Sequence, residues 1–342
     1  MTAIDRPQVV AQLLAMAESM GITVDDLAAA SSSRPSKESK SVKDFLPAVE
    51  AATTDGAKLT YRPYWRQLVA QLGDRPVSSV KATDLQALAL EAQRRAKRRS
   101  NTRGGTSARE NCVGAVRAFF RLAVEDGLIE ESPADKVKKP RRPVSRRRGF
   151  SDEELTQLFE VTRSGGDDPV LDSLLLRFHL ETGARRGGAL ALRRRDLDPQ
   201  RQCVRLREKN NTERWQPVSR TLLDALTDHA NSRGAVGDDD AVFRRLPCRG
   251  ATVGVAVTRR RYNTLVARWS RELAWVREQG VSIHWCRHHA TSAIERIGGY
   301  AVARAFAGHA EGSEVTTTYI KAQIHEVARA VASYTGEPHP LA

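Results

Sequence analysis

The chain has 342 residues, 40% of them apolar, which is enough for about two domains with packed cores. Its 55 Lys and Arg against 41 Asp and Glu leave a net charge of +14, which suits a polyanionic partner because each neutralised phosphate releases a condensed counterion. Four separated cysteines argue against a disulfide framework or a Cys-x-x-Cys metal site, the first residues lack the charged and apolar regions of a signal peptide, and no apolar run approaches the roughly 18 residues of a membrane span.

Along the chain, Val9, Val10, Leu13, Leu14, Met16 and Ala17 recur at helical spacing, Gly21 breaks the pattern, and Thr23 is placed to cap a short second helix. Residues 1–30 are therefore expected to be an accessory helical segment. The polar, aperiodic stretch 31–41 reads as a linker. Helical periodicity resumes over 42–137. Phe45, Leu46, Val49 and Ala52 share one face, and Tyr61, Tyr64, Trp65, Leu68 and Leu72 another. Gly73-Asp74-Arg75-Pro76 makes a turn, and Thr83 is read as the cap of the helix carrying Leu85, Leu88 and Leu90. A basic loop with Arg94, Arg95, Lys97, Arg98 and Arg99 follows, then a helix of Val113, Val116, Phe119, Phe120 and Ala123 that stops near Gly127 and Pro133. Several amphipathic helices in such a span make a helical domain.

Residues 138–149 form a basic linker in which Pro140 and Pro143 deny helix. Its Lys138, Lys139, Arg141, Arg142, Arg146, Arg147 and Arg148, with the basic loop before it, are the expected phosphate contacts. The second domain, 150–335, opens on a capping box, Ser151-Asp152-Glu153-Glu154, with Leu155, Leu158 and Phe159 on the apolar face. A buried helix is expected over 171–180. Two strands, Cys203-Val204-Arg205-Leu206 and Trp215-Gln216-Pro217-Val218, flank a polar turn with Lys209 at its tip. Helices dominate from Leu222 on, interrupted over 234–240 and 248–254. Ile320, Ile324, Val327, Ala328 and Val331 make a last stripe toward Tyr334, which either closes the core of its own chain or docks on a neighbour. Residues 336–342 are expected as a tail.

Three short motifs carry the chemistry. Thr182-Gly183-Ala184-Arg185, with Leu190-Ala191-Leu192-Arg193 and Asp196-Leu197-Asp198 after it, resembles the first box of the tyrosine recombinase (phage integrase) family. His284-Trp285-Cys286-Arg287-His288 resembles its second box, and Ala307-Gly308-His309 followed by Thr316-Thr317-Thr318-Tyr319 its closing box. Glu208-Lys209-Asn210 falls where that family places a lysine on a hairpin, and Glu125-Asp126-Gly127-Leu128-Ile129 resembles the end of its helical core-binding domain. Gly188 stands where the family often has an acidic residue. The resemblance implies a two-domain DNA clamp, a helical core-binding domain joined to a mainly α catalytic domain with a small antiparallel β-sheet. It also implies site-specific recombination of double-stranded DNA by a homo-tetramer on two sites, one dimer per site, through a Holliday junction. No cofactor is expected, an accessory DNA-bending or directionality protein is an optional partner, and the setting is the cytoplasm, at the nucleoid, for a chain of bacterial or phage origin serving a mobile element.

The residues make chemical sense on their own. Tyr319 is a nucleophile able to form a phosphotyrosyl link. Arg185 and Arg287 are always-charged planar forks for the non-bridging oxygens. Lys209 is a general acid for the leaving 5′-oxygen, His284 a general base or donor, and His309 a second donor. Tyr300 is the runner-up nucleophile, but it precedes His309. A zinc site from His284, His288 and His289 lacks a carboxylate or cysteine to complete it. The competing functions are a type IB topoisomerase-like relaxase, a DNA-binding protein without catalysis, and a metal-dependent nuclease, the last without a carboxylate cluster to support it.

Overall fold

A computed structural model of the chain describes residues 14–23, 25–26, 40–96, 104–141, 148–207, 213–308 and 323–342. Most of the expected linker 31–41, and Lys97, Arg98, Arg99, Arg142, Arg146 and Arg147, lie outside the described residues. The chain divides into two units, Met1–Pro143 and Val144–Ala342.

In the first unit, Thr23 and Asp26 make a reciprocal cap, Thr23 Oγ1 accepting from the Asp26 amide at 3.1 Å and the Asp26 carboxylate accepting from the Thr23 amide at 2.8 Å. Helix α1 (Val42–Ala52) starts at Ser41, whose hydroxyl accepts the Asp44 amide. It is followed by α2 (Asp55–Leu72), α3 (Ala82–Arg95) and α4 (Thr106–Glu125). Their apolar faces meet in one core around Phe45, Trp65, Leu85, Leu88, Val116 and Phe119. The buried Trp65 indole N–H is satisfied by the Ala115 carbonyl at 2.9 Å, and Phe45 meets Phe119 edge-on at 5.4 Å.

Four expectations need correction here. Thr83 is not the cap of α3 but lies inside it; the Asp84 carboxylate takes the Lys81 amide at 3.0 Å, an anion being the better acceptor at a helix N-terminus. Leu90 is exposed, because the buried stripe is Leu85, Leu88, Ala89 and Ala92. Ala52, at the end of α1, is exposed too. Arg94 and Arg95 occupy the last turn of α3 rather than a loop, both exposed, with Arg95 paired to Glu91 one turn back. Lys138, Lys139 and Arg141 are exposed and without regular structure.

The second unit begins with Arg148, whose guanidinium grips the Glu154 carboxylate through two bonds of 2.6 and 2.5 Å. Glu154 is also the capping-box partner of Ser151 at the start of α5 (Asp152–Ser164). Arg148 therefore fastens this helix start instead of standing as an uncommitted cation.

Helix α6 (Pro169–Thr182) is buried nearly all round, as expected of a helix with apolar residues on every face. It packs against α5, α8 (Arg220–Ser232) and α11 (His284–Ala307). Its start is fixed by ion pairs: Asp168 caps it and takes Arg233 at 3.0 Å, while Asp172 takes Arg261 at 2.6 Å and Arg268 at 2.8 Å from α9 (Arg259–Glu272). Burial raises the Asp172 pKa against the pull of the two guanidiniums; buried charges of this kind persist because they are paired. The short α7 (Arg186–Ala191) leads to an antiparallel sheet in the order β1 (Leu197–Asp198), β2 (Cys203–Arg207), β3 (Glu213–Pro217), with Arg205 opposite Trp215. Helix α10 (Ala274–Gln279) precedes α11.

The last helix, α12 (Ile324–Thr335), packs on α11 of its own chain through Val327, Ala330 and Val331 against Ile294, Val302 and Phe306. Tyr334 donates to the Leu180 carbonyl at 3.2 Å. In the single chain the stripe from Ile324 on packs in the core of its own unit, and Ile320 lies outside the described residues. Residues 336–342 are folded against the same unit: His339 is buried and donates from Nε2 to the Gln202 carbonyl at 2.9 Å, while its Nδ1 accepts the Leu341 amide at 3.1 Å. Among the described residues no helix is long and apolar enough to cross a membrane.

Candidate active site

The turn after α6 is held at every backbone polar group. Gly183 sits in the left-handed region (φ 59°), where glycine has no Cβ penalty, and its amide bonds back to the His179 carbonyl at 3.1 Å. A Cβ there would lie 2.7 Å from the Phe306 ring, so the position needs glycine for space as well. The Thr182 hydroxyl donates to the Phe178 carbonyl and accepts the Ala184 amide at 3.2 Å. The Ala184 carbonyl faces His179 Nδ1 at 2.9 Å. Arg185, half-buried, is the N-cap of α7 and accepts the Ala189 amide at 3.2 Å. Arg186 is the first residue of α7, and the buried Gly188 faces β2, with the Arg207 carbonyl 3.4 Å from where its Cβ would be. The carboxylate in this neighbourhood is the fully buried Asp196. It takes Arg205 Nε at 2.9 Å, Arg207 at 2.7 and 2.8 Å, and the Arg193 amide at 2.9 Å, and so anchors the base of the hairpin.

The second box forms the start of α11. His284 is its first residue, half-buried, with its ring 4.9 Å from that of His288. Arg287 is buried at 4% exposure. Its Nη1 donates to the Gly183 carbonyl at 2.6 Å and its Nη2 to the Ala307 carbonyl. One guanidinium thus joins a carbonyl two residues before Arg185 to another two residues before His309. The end of α11 can reach it because the helix breaks at Gly299 (φ 80°, ψ 176°), a conformation essentially reserved for glycine. His289 points into the core: it accepts the Phe150 amide at 3.1 Å and packs on that ring, and burial lowers its pKa. The three neighbouring histidines therefore do not converge. Among the described residues no group of His, Cys, Asp and Glu is placed to hold a metal ion. Cys286 is buried, which pushes its thiol up to about 12.

At the closing box, Gly308 is left-handed (φ 58°), and Arg214 of β3 packs so tightly on it that a Cβ would lie 2.6 Å from Arg214 Nε. Lys209, His309 and Tyr319 lie outside the described residues. Tyr300 is exposed beside the break in α11, under Arg304. Sequence reasoning passed over two residues, His179 and Tyr262, which bond to each other beneath the Arg185 turn at 2.9 Å. The one available signal was a histidine inside the otherwise apolar run of α6.

Residues 149–326 match the model of the phage integrase family. The tyrosine recombinase XerC of Listeria welshimeri is 30% identical over 122 residues, 35% of this chain and 41% of that protein. The tyrosine recombinase XerC of Shewanella amazonensis is 25% identical over 204 residues, 58% of this chain and 64% of that protein. The chain thus covers less than two thirds of the length of these relatives. In fold, it is similar to a lambda integrase tetramer bound to a Holliday junction, with a TM-score of 0.62 at 14% identity over 95% of this chain and 92% of that one. It is also similar to the Tn1549 transposon integrase in complex with a circular intermediate DNA, with a TM-score of 0.60 at 18% identity over 86% of this chain and 100% of that one.

Proposed function

Since the chain belongs to the phage integrase family, whose members include the tyrosine recombinases, we propose that it is a site-specific DNA recombinase that cuts and rejoins DNA through a 3′-phosphotyrosyl intermediate. The observation that carries this reading is the Arg287 bridge, which ties the first, second and closing boxes at one guanidinium.

In the reaction, the Tyr319 oxygen attacks the scissile phosphorus while His284 takes the phenol proton. The bond from phosphorus to the 5′-oxygen breaks, and the leaving oxygen takes a proton from Lys209. Arg185 and Arg287, with His309, face the charge that grows on the non-bridging oxygens, and fixed charge of this sort is commonly the largest catalytic contribution. The phosphotyrosyl bond stores the energy of the broken linkage, so a second 5′-hydroxyl reverses the steps with no ATP. Arginine and lysine fill the roles that a metal would otherwise fill. Exchange between two duplexes needs four such centres. The likeness to the integrase tetramer on a Holliday junction supports a homo-tetramer on two sites, with the two units gripping each duplex. Exposed Arg94, Lys138, Lys139 and Arg141 supply phosphate contacts.

The test uses nicked duplexes that span candidate sites flanking the gene, incubated in EDTA with wild type or Tyr319→Phe. A covalent protein–DNA band seen with wild type alone is the expected result. A gel-shifted complex that never becomes covalent would remove the recombinase reading and leave a DNA-binding protein.

A further inference from the structure

We propose that His179, braced by Tyr262, is a positioning residue for Arg185: its Nδ1–H holds the Ala184 carbonyl and so sets the backbone from which the Arg185 guanidinium projects. The inference rests on Arg185 as a phosphate ligand. Its physical core is the identity of the two bonds. A carbonyl oxygen only accepts, so the ring nitrogen 2.9 Å from Ala184 O carries a proton. A neutral imidazole then has a lone pair at Nε2, and the Tyr262 hydroxyl, 2.9 Å away, donates to it. Both side chains are buried, at 0% and 1% exposure. Burial first, then the bond to Ala184 acting the other way, with the charges of His284 and Arg186 reinforcing burial, leaves the His179 pKa at about 4. The ring is neutral near pH 7 and its tautomer has one arrangement.

The same residue acts on the turn twice. Its backbone carbonyl takes the Gly183 amide and its ring takes the Ala184 carbonyl. With Thr182 on the Ala184 amide and Arg287 on the Gly183 carbonyl, Gly183 and Ala184 have all four backbone polar groups engaged, immediately before Arg185. Tyr262 comes from α9, whose Arg261 and Arg268 already fix the start of α6, so both ends of α6 are referenced to one neighbouring helix. A shift of about 1 Å in a group that touches the reacting phosphate can cost 100-fold in rate, so a brace one residue away has a kinetic consequence.

The experiment has an arm that needs no activity. The full chain is labelled with ¹⁵N-histidine and the His179 ring is observed between pH 5 and 8. A neutral Nδ1–H tautomer throughout is expected; an Nε2–H tautomer overturns the proposal. The second arm compares His179→Asn, which places an amide N–H where Nδ1 was, with His179→Gln, which reaches Tyr262 but not Ala184. With folding and gel shifts preserved in both, Asn should form the covalent adduct at near the wild-type rate and Gln roughly tenfold or more slowly. Equal rates for the two overturn the proposal. If His179→Gln does not fold, Tyr262→Phe takes its place. A rise in the Nε2–H tautomer with slower adduct formation is then expected, and an unchanged spectrum and rate would refute it. Wild type that shifts DNA yet never forms an adduct defeats the recombinase reading and the catalytic half of this one, while the tautomer is decided separately by the spectrum.

Discussion

Replacing Arg287 with alanine should strike two things together, catalysis and the integrity of the unit. Arg287→Ala deletes two hydrogen bonds from a charged donor and strands the Gly183 and Ala307 carbonyls in a buried setting. At roughly 1.5–3 kcal/mol for each such bond, the loss is about 3–6 kcal/mol. Set against a typical domain stability of about 5–15 kcal/mol, this is a large fraction of the whole. For a unit the size of Val144–Ala342 each kcal/mol shifts the Tm by about 2–4 °C, so a fall of roughly 6 °C or more is expected. Arg185 is half-buried where Arg287 is buried, so Arg185→Ala should cost less, about 1 kcal/mol as for a typical substitution. Both substitutions should abolish the covalent adduct. Calorimetry and urea titration of wild type and the two variants, with adduct formation run beside them, make the comparison. Equal Tm values for the two variants, or an Arg287→Ala protein within about 2 °C of wild type, would show that the carbonyl bridge does not carry the load assigned to it.

Two further outcomes follow from the same geometry. Gly183→Ala should destabilise by more than Gly336→Ala, because both residues have positive φ but only Gly183 adds a collision with Phe306; the strain costs roughly 1–2 kcal/mol and the overpacking a further 1–3 kcal/mol or so. Equal urea midpoints would discount the collision. His179, with a folded pKa of about 4 below its ordinary value of 6.5, binds a proton more readily when unfolded. Its contribution is therefore fully present above pH 6.5 and is lost as pH falls toward 4, by about 3 kcal/mol at the limit. His229 and His289, also lowered chiefly by burial, act in the same direction. Subtracting the Tm–pH curve of His179→Asn isolates this one ring from the carboxylates; a difference that stays flat between pH 7 and 4 would contradict the assignment.

The sequence was legible where a local pattern has one structural solution. The helices of the first unit follow from stripes such as Phe45, Leu46 and Val49, and the hairpin from two short runs around a polar turn. Strand β1 has only two residues, too few to show a period, and exists through its pairing with Val204 and Cys203. Thr83 was misread because a cap preference looks only for a residue before the helix, whereas this start is held from inside it by the Asp84 carboxylate on the Lys81 amide. The stripe of α12 announced burial but not its partner, since an apolar face is complementary to any other. Arg287 was singled out by its spacing to His284, yet its bonds span 104 and 20 residues of chain and exist only once the fold closes. His179 was less legible still: a histidine in an apolar helix has no local signature, and its partner Tyr262 is 83 residues away.

The arginines of the second unit sort by the kind of group that holds them. Arg205 and Arg207 share Asp196, Arg233 has Asp168, Arg261 and Arg268 share Asp172, and Arg148 has Glu154. Each carboxylate orients its partner and also cancels its charge, which serves packing but weakens any pull on a phosphate. The two carbonyls on Arg287 orient it and carry no formal charge themselves. Both lie at helix C-terminal ends, Gly183 at the end of α6 and Ala307 at the end of α11, where the aligned peptide dipoles place a partial negative charge of about half a unit. Two such ends offset much of the cost of burying a cation. This requires both helices to stop beside the guanidinium, and that is why left-handed glycines, Gly183 and Gly308, terminate them there. The glycines of the first and closing boxes therefore belong to the electrostatics of the site as much as to its turns.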